Sequence, residues 1–487
     1  MPTTPHLSKS TFILGLTCPR KVAYAAGGYP TASGGDFAEL LAEGGDRIGE
    51  VARMRYPAGR MIAERDPVAA ELATAEALRS DSALVFEAAI RSGRLFARAD
   101  VLIKDGGRFD LIEVKSASLD RLNPKSYPLT TKSGGVRSCW KTIVSDIAFQ
   151  RLILSRAYPD AEIACYLVCP DSEAVAAMDG LPGCLVADDT TGRPRFVGSG
   201  DQAAALSALL TLEPVDEAVA ILTPEIESAA DRLAALFGED GAVTKPDVTL
   251  GYHCRSCEFR IPKDHAGPDG FRECWGSLAD PDPHLFDLYQ LYSLGNGSVA
   301  NDCIAAGQTG LANLPLDRVV GPYAERQRIQ LQHQLAGTEW TSDSLAGAMA
   351  AMPRPLHFID FETCTPTLPE YRWMRPNETV AFQWSCHTLD DRAGTSGTLQ
   401  HREWLHDPAS LPGCPNLEFV RTLVAAVREG TVLTWTGHEA GVLAQIANGI
   451  RERLPEEWAL ADEVDALRDR LVDQCEMCRQ HYFHPEM

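Results

Sequence analysis

The sequence has no run of about 18 apolar residues, the length a helix needs to cross a bilayer. Its start, MPTTPHLSKSTFILGL, lacks a charged leader region followed by a small-residue cleavage site. A cytoplasmic protein without membrane contact is therefore expected. Positive charge is also short: 45 Lys and Arg against 67 Asp and Glu give a formal net charge of −22. Such a balance excludes a sequence-independent nucleic-acid coat, which would need a broad basic surface. It leaves room for a local groove. Without an export signal, the fourteen cysteines are not read as a disulfide framework but as buried thiols or metal ligands. What is present is 45% hydrophobic residues spread over 487 positions, enough for two or three domains.

The stretch Arg98–Lys115 (RADVLIKDGGRFDLIEVK) predicts two strands joined by a tight turn at Asp105-Gly106-Gly107. Asp100 lies in the first arm. Glu113 and Lys115 lie two apart in the second, so strand geometry puts both on one face. Charges beside an apolar hairpin are costly to bury unless something pairs them. A divalent metal held by Asp100 and Glu113, with Lys115 beside an attacking water, meets that cost. A solvated hairpin carrying surface charge meets it too.

Downstream, Lys141–Ala157 predicts a helix with Gln150 near its middle, and Ala161–Pro170 a buried strand. Asp100, the Glu113-Val114-Lys115 triplet and Gln150 together resemble the motifs of the PD-(D/E)xK nuclease superfamily in its RecB-like branch. That resemblance implies a restriction-endonuclease-like α/β core cutting DNA with Mg²⁺ or Mn²⁺, on single-stranded or end-containing substrate. Asp100, Glu113, Lys115 and Gln150 would be the catalytic residues. The branch often carries a histidine or acidic ligand on its first core helix. Residues 36–56, a predicted helix interrupted at Gly44-Gly45, contain no histidine, and Glu50 is the candidate substitute. Lys125, Lys132, Arg137 and Lys141 could serve as a backbone-binding loop or as an ordinary polar one.

Cys254-x-x-Cys257, followed by Cys274 and preceded far upstream by Cys18, resembles the cysteine layout of iron–sulfur nucleases such as AddB. A [4Fe–4S] cluster is implied, acting as a staple between the two flanks of the nuclease domain. Four thiolates could equally take Zn²⁺. Residues 171–200 predict a loop or small insertion, 202–212 and 224–237 helices, and 281–353 a helical linker.

At Leu356–Thr363 (LHFIDFET) a short apolar strand delivers Asp360 and Glu362 on one face. The pair resembles the opening metal motif of DEDD exonucleases of RNase H-like fold. Further on, Thr431–Trp435 predicts a strand leading to Glu439, the candidate second acidic ligand, and Asp473 is another candidate. The Asp360–Thr363, Arg375-Pro376 and Phe382–His387 elements resemble a bacterial family in which a C-terminal domain of unknown function follows a RecB-like nuclease. That family continues past the equivalent of His484–Met487, so the C-terminal domain is expected to be incomplete and a protein partner there is possible.

The expected organisation is a nuclease domain over 1–280, the linker over 281–353, and an RNase H-like domain over 354–487. The expected activity is metal-dependent DNA hydrolysis. A non-catalytic nucleic-acid-binding adaptor on the same scaffold is the alternative, and a zinc-thiolate structural protein a third reading.

Overall fold

In the computed structural model, residues 6–32, 36–262, 264–392, 397 and 399–487 are described, side chains of 36–38 excepted. The fold is mixed α/β and divides into two compact units. The first comprises residues 1–249, 258–270 and 366–378; the second 250–257, 271–365 and 379–487. No described helix is long and apolar enough to cross a membrane.

The first unit is built on a seven-stranded sheet. Ser82–Ser92, Leu95–Asp105 and Arg108–Val114 form an antiparallel meander, with Gly106 at φ +57° in the predicted tight turn. Only glycine adopts that left-handed backbone without steric cost. Glu162–Pro170 then runs parallel to Arg108–Val114, and the crossover between them is the helix Ser138–Ala157. Parallel neighbours require such a crossover, and an apolar helix stripe is what covers the sheet. Val144, Ile147, Ile153 and Leu154 of that helix are buried, and Phe149 stacks on Phe12 at 4.1 Å. This contact seats the short N-terminal helix Lys9–Thr17 against the crossover helix.

Across the sheet lies the helix Asp36–Met54, with Ile48, Val51 and Ala52 packed against Phe86, Val101 and Ile112. It runs unbroken through Gly44-Gly45, contrary to the expected interruption: two glycines cost about 2 kcal/mol of propensity, which burial of an amphipathic face outweighs. Residues 210–212, expected to end a helix, instead open the strand Leu210–Pro214, antiparallel to Glu162–Pro170. Conversely, the next helix starts at Asp216 rather than 224, carrying Pro224 inside it. Within 171–200, a two-stranded ribbon joins Leu185–Ala187 to Pro194–Phe196.

The second unit holds a five-stranded sheet in the order Leu399–Leu405, Val380–Leu389, Leu356–Cys364, Thr431–Thr434, Leu471–Asp473. The first three are antiparallel, and the last two lie parallel to Leu356–Cys364. Helices Asn416–Ala426, His438–Arg453 and Trp458–Arg468 bury Phe419, Leu443, Ile446 and Val464 with Phe361 and Trp384. Residues 281–353, expected as a helical linker, contain the helices Ser298–Ala305, Ala324–Ala336 and Leu345–Ala350, and also contribute to a hydrophobic core that includes Phe271 and Trp275. Phe286, Leu288, Leu291, Leu294, Val299 and Leu311 are buried there, mostly from short 3₁₀ turns and loops.

Candidate functional site

Four residues singled out by the sequence converge in the first unit. Asp100, on the central strand, accepts a hydrogen bond from the Val114 amide at 2.7 Å, which ties the two arms of the hairpin together. Glu113 is almost wholly enclosed, at 1% exposure. Its Oε1 meets Lys115 Nζ at 2.5 Å, and its Oε2 accepts from Gln150 Nε2 at 2.6 Å. Gln150 in turn leaves its own Oε1 buried without a hydrogen-bond partner.

Two further residues complete the cluster and escaped the sequence reading. Lys9, in the first turn of Lys9–Thr17, reaches Glu113 Oε1 at 2.9 Å. Asp146, one helical turn before Gln150, pairs with Lys115 at 2.8 Å and lies 3.6 Å from Lys9. The i, i+4 spacing of Asp146 and Gln150 was a legible signal for a shared helix face. Nothing in the sequence links Lys9 to the hairpin.

The electrostatics follow from three carboxylates facing two ammoniums. Burial pushes Asp100 up to about 7, and the negative charge of Glu113 adds to it. Burial and Glu113 likewise push Asp146 up to about 6. Burial also acts against ionised Glu113, but Lys9, Lys115 and the Gln150 hydrogen bond outweigh it and hold the carboxyl at about 2. For Lys115 and Lys9, burial is again outweighed, by Glu113 above all, so both stay firmly protonated. One site thus contains a strongly ionised acid, two poised near neutrality and two fixed cations.

A pocket of about 100 Å³ opens beside Asp100, lined by Gly45, Asp46, Gly49, Arg53 and Val114 among others. A Cβ at Gly45 would meet nothing within 4 Å, so the glycine face of the helix leaves this approach clear. Asp46, not Glu50, is the acidic residue of this helix at the pocket. Glu50 is engaged elsewhere, with Arg53 at 2.9 Å and the Phe196 amide at 3.2 Å. In the basic loop, Arg137 donates to the Pro128 carbonyl and Lys141 pairs with Glu225 at 3.2 Å, so both already have partners.

In the second unit, Glu439 is buried at 4% exposure in the first turn of His438–Arg453, and its Oε2 has no hydrogen-bond partner. Burial raises its pKa, and the charges of Asp360 and Asp473 raise it further. Asp473 ends the parallel strand Leu471–Asp473, and Glu439 lies five residues beyond the end of the parallel strand Thr431–Thr434. Asp473 also caps the helix Gln474–His481 through the Glu476 amide at 3.0 Å. Glu362 is exposed on the same strand as Asp360 and does not figure in that interaction.

Of the four cysteines, Cys18 follows the N-terminal helix in the first unit. Cys254, Cys257 and Cys274 are in the second, half-buried against the Phe271–Trp275–Phe286 cluster. Among the described residues, no three His, Cys, Asp or Glu side chains are grouped so as to hold a metal ion.

A family model described as a domain of unknown function (DUF2779) matches residues 357–487. This span includes the Asp360–Thr363 and Phe382–His387 elements and the carboxylates of Asp360, Glu439 and Asp473. No curated protein matches the chain.

Proposed function

We propose that the first unit is a metal-dependent nuclease of the RecB-like PD-(D/E)xK type, hydrolysing DNA phosphodiesters at the Asp100–Glu113–Lys115 cluster. The observation that supports it is the surplus of one acid over the available ammoniums, kept out of water beside an open pocket. A buried surplus carboxylate is costly, and a cation would offset that cost.

The residues suit a hard divalent ion. Asp100 and Glu113 would supply carboxylate oxygens, and Mg²⁺ characteristically takes only one or two of these, filling its shell from water and substrate phosphate. A three-residue protein cage is therefore not required. When bound, the ion would activate water and neutralise charge on the phosphate. Lys115, fixed between Glu113 and Asp146 and firmly protonated, orients a water or donates to a phosphate oxygen rather than removing a proton. Asp100, poised near 7, can hold or yield a proton at neutral pH. Gln150 and Lys9 fix the Glu113 carboxylate in place.

For the second unit we propose an RNase H-like fold. The reading is supported by a central strand bearing Asp360, with an antiparallel strand on one side and, on the other, the parallel strands Thr431–Thr434 and Leu471–Asp473, beyond and at whose ends lie Glu439 and Asp473. In open α/β sheets, ligands bind outside the carboxyl ends of the strands. Within the second unit, Cys254, Cys257 and Cys274 are proposed as thiolate ligands for a [4Fe–4S] cluster.

The test uses the full chain with labelled single- and double-stranded DNA, with Mg²⁺, Mn²⁺ or chelator, beside Asp100→Ala and Lys115→Ala. Metal-dependent cleavage that falls by about a hundredfold or more in both variants is expected. Equal cleavage by wild type and variants would overturn the assignment. Salt-sensitive DNA binding with no cleavage in any metal would favour the adaptor instead.

A further inference from the structure

The second unit has a cavity of about 470 Å³ that neither carboxylate cluster uses. That volume lies in the range of small-molecule sites. Two of its rings, Trp435 and Tyr292, keep 57% and 54% of their surface exposed, although large aromatics are normally covered.

Its charges are unusual for this chain. Arg255 donates to the Phe286 carbonyl at 3.1 Å. Arg326 donates to the Tyr482 carbonyl at 2.6 Å and lies 5.3 Å over the Phe483 ring. Neither guanidinium meets a carboxylate among the described residues, whereas Arg318, Arg354, Arg421 and Arg451 of the same unit all do. Burial lowers the pKa of Arg326, the mark of a partly desolvated cation. Asp287 also lines the cavity and offsets one of these charges, and Arg479 is matched by Glu476 at 3.3 Å, so the lining side chains keep one positive charge in excess, supplied by Arg255 and Arg326.

Exposed aromatic faces beside unmatched guanidiniums select a ligand with a flat ring and a negative group. Bases stack on such rings, and arginine grips phosphate through paired donors. The position narrows the choice. Trp435 directly follows the strand Thr431–Thr434, and its carbonyl accepts from the Cys475 amide at 3.1 Å, two residues beyond Asp473. The cavity therefore adjoins the strand ends that present Glu439 and Asp473.

We propose that this cavity is a binding site for a nucleoside monophosphate unit, the base stacked on Trp435 and Tyr292 and the phosphate held by Arg255 and Arg326. That the unit belongs to a single-stranded end, and not to a free nucleotide, rests on the nuclease reading.

Cys475 and Cys478 line the same cavity and report on its occupancy. The experiment uses the full chain carrying Asp100→Asn, without divalent metal, so that binding is read apart from cleavage. Oligothymidylate, thymidine monophosphate and inorganic phosphate are titrated in turn. Tryptophan fluorescence and the iodoacetamide labelling of Cys475 and Cys478 are followed. Oligothymidylate or the mononucleotide should quench fluorescence and slow labelling of both thiols, and stronger binding of the oligonucleotide would identify a strand end. Trp435→Ala, at an exposed ring, should weaken binding by about tenfold, and Arg255→Met should act alike. Unchanged affinity in Trp435→Ala, or equal protection by inorganic phosphate, would overturn the proposal.

Discussion

Lys9 stands 104 residues from Glu113 in sequence, yet shares its Oε1 with Lys115. Removing one partner of a buried ion pair leaves an uncompensated charge, so Lys9→Met should destabilise the chain by about 1–3 kcal/mol in urea unfolding at pH 7, the partial exposure of Lys9 limiting the loss. Asp100 acts in the opposite sense. Its carboxyl is raised in the folded state from the ordinary 3.8 to about 7, so its contribution is fully present below pH 3.8 and is lost as pH rises through 7. Asp100→Asn should therefore be more stable than wild type at pH 8, by on the order of 1–3 kcal/mol, with the gap closing in acid. Glu113, held at about 2 against 4.5, contributes stability above 4.5 that fades as pH falls toward 2. Divalent-metal binding near pH 7 should release a proton from Asp100, measurable by calorimetry in buffers of different ionisation enthalpy. The acid–amine spacing of Glu113 and Lys115 was plain in the sequence because strand alternation fixes sides. The contribution of Lys9 is not legible, because it arrives on a helix far away in sequence, whereas that of Asp146 is signalled only by its i, i+4 spacing from Gln150.

Among elements, the strand Thr431–Thr434 depends on a close approach at its entry. Gly430 has φ +83°, and an added Cβ would stand 2.1 Å from the Pro355 carbonyl oxygen. Gly430→Ala combines a strained backbone with that clash and should cost about 2–4 kcal/mol, seen as a lower thermal midpoint. The hairpin around Gly106 was legible because its turn chemistry and apolar arms are local. The sequence extends a helix over residues 210–212 because five residues beside a Leu/Ala helix carry too short an alternation to stand out, and pairing of Leu210–Pro214 with Glu162–Pro170 decides their state. The 281–353 stretch reads as helical by composition. Its short 3₁₀ turns persist because their leucines and aromatics bury one another, which no periodic pattern announces.

For the whole molecule, a net charge of −22 limits the number of phosphates it can engage. Nucleic-acid affinity should therefore fall with salt at a logarithmic slope of only about −2 to −3, measured by fluorescence anisotropy. If the thiolate set holds a cluster, anaerobically purified protein should contain iron and sulfide in equal amounts, with visible absorbance that Cys254→Ser abolishes. The amino-acid order by itself determined the D…ExK hairpin, the crossover helix bearing Gln150 and the Asp360 strand, since side-chain alternation and turn residues act over a few positions. Only tertiary packing decided that Lys9 and Asp146 enclose Glu113, that Glu439 is buried within reach of the charges of Asp360 and Asp473, and that Trp435 shares a cavity with Arg255 and Arg326. Those neighbours are set by the burial of apolar faces far apart in the chain, and the charges are carried together by it.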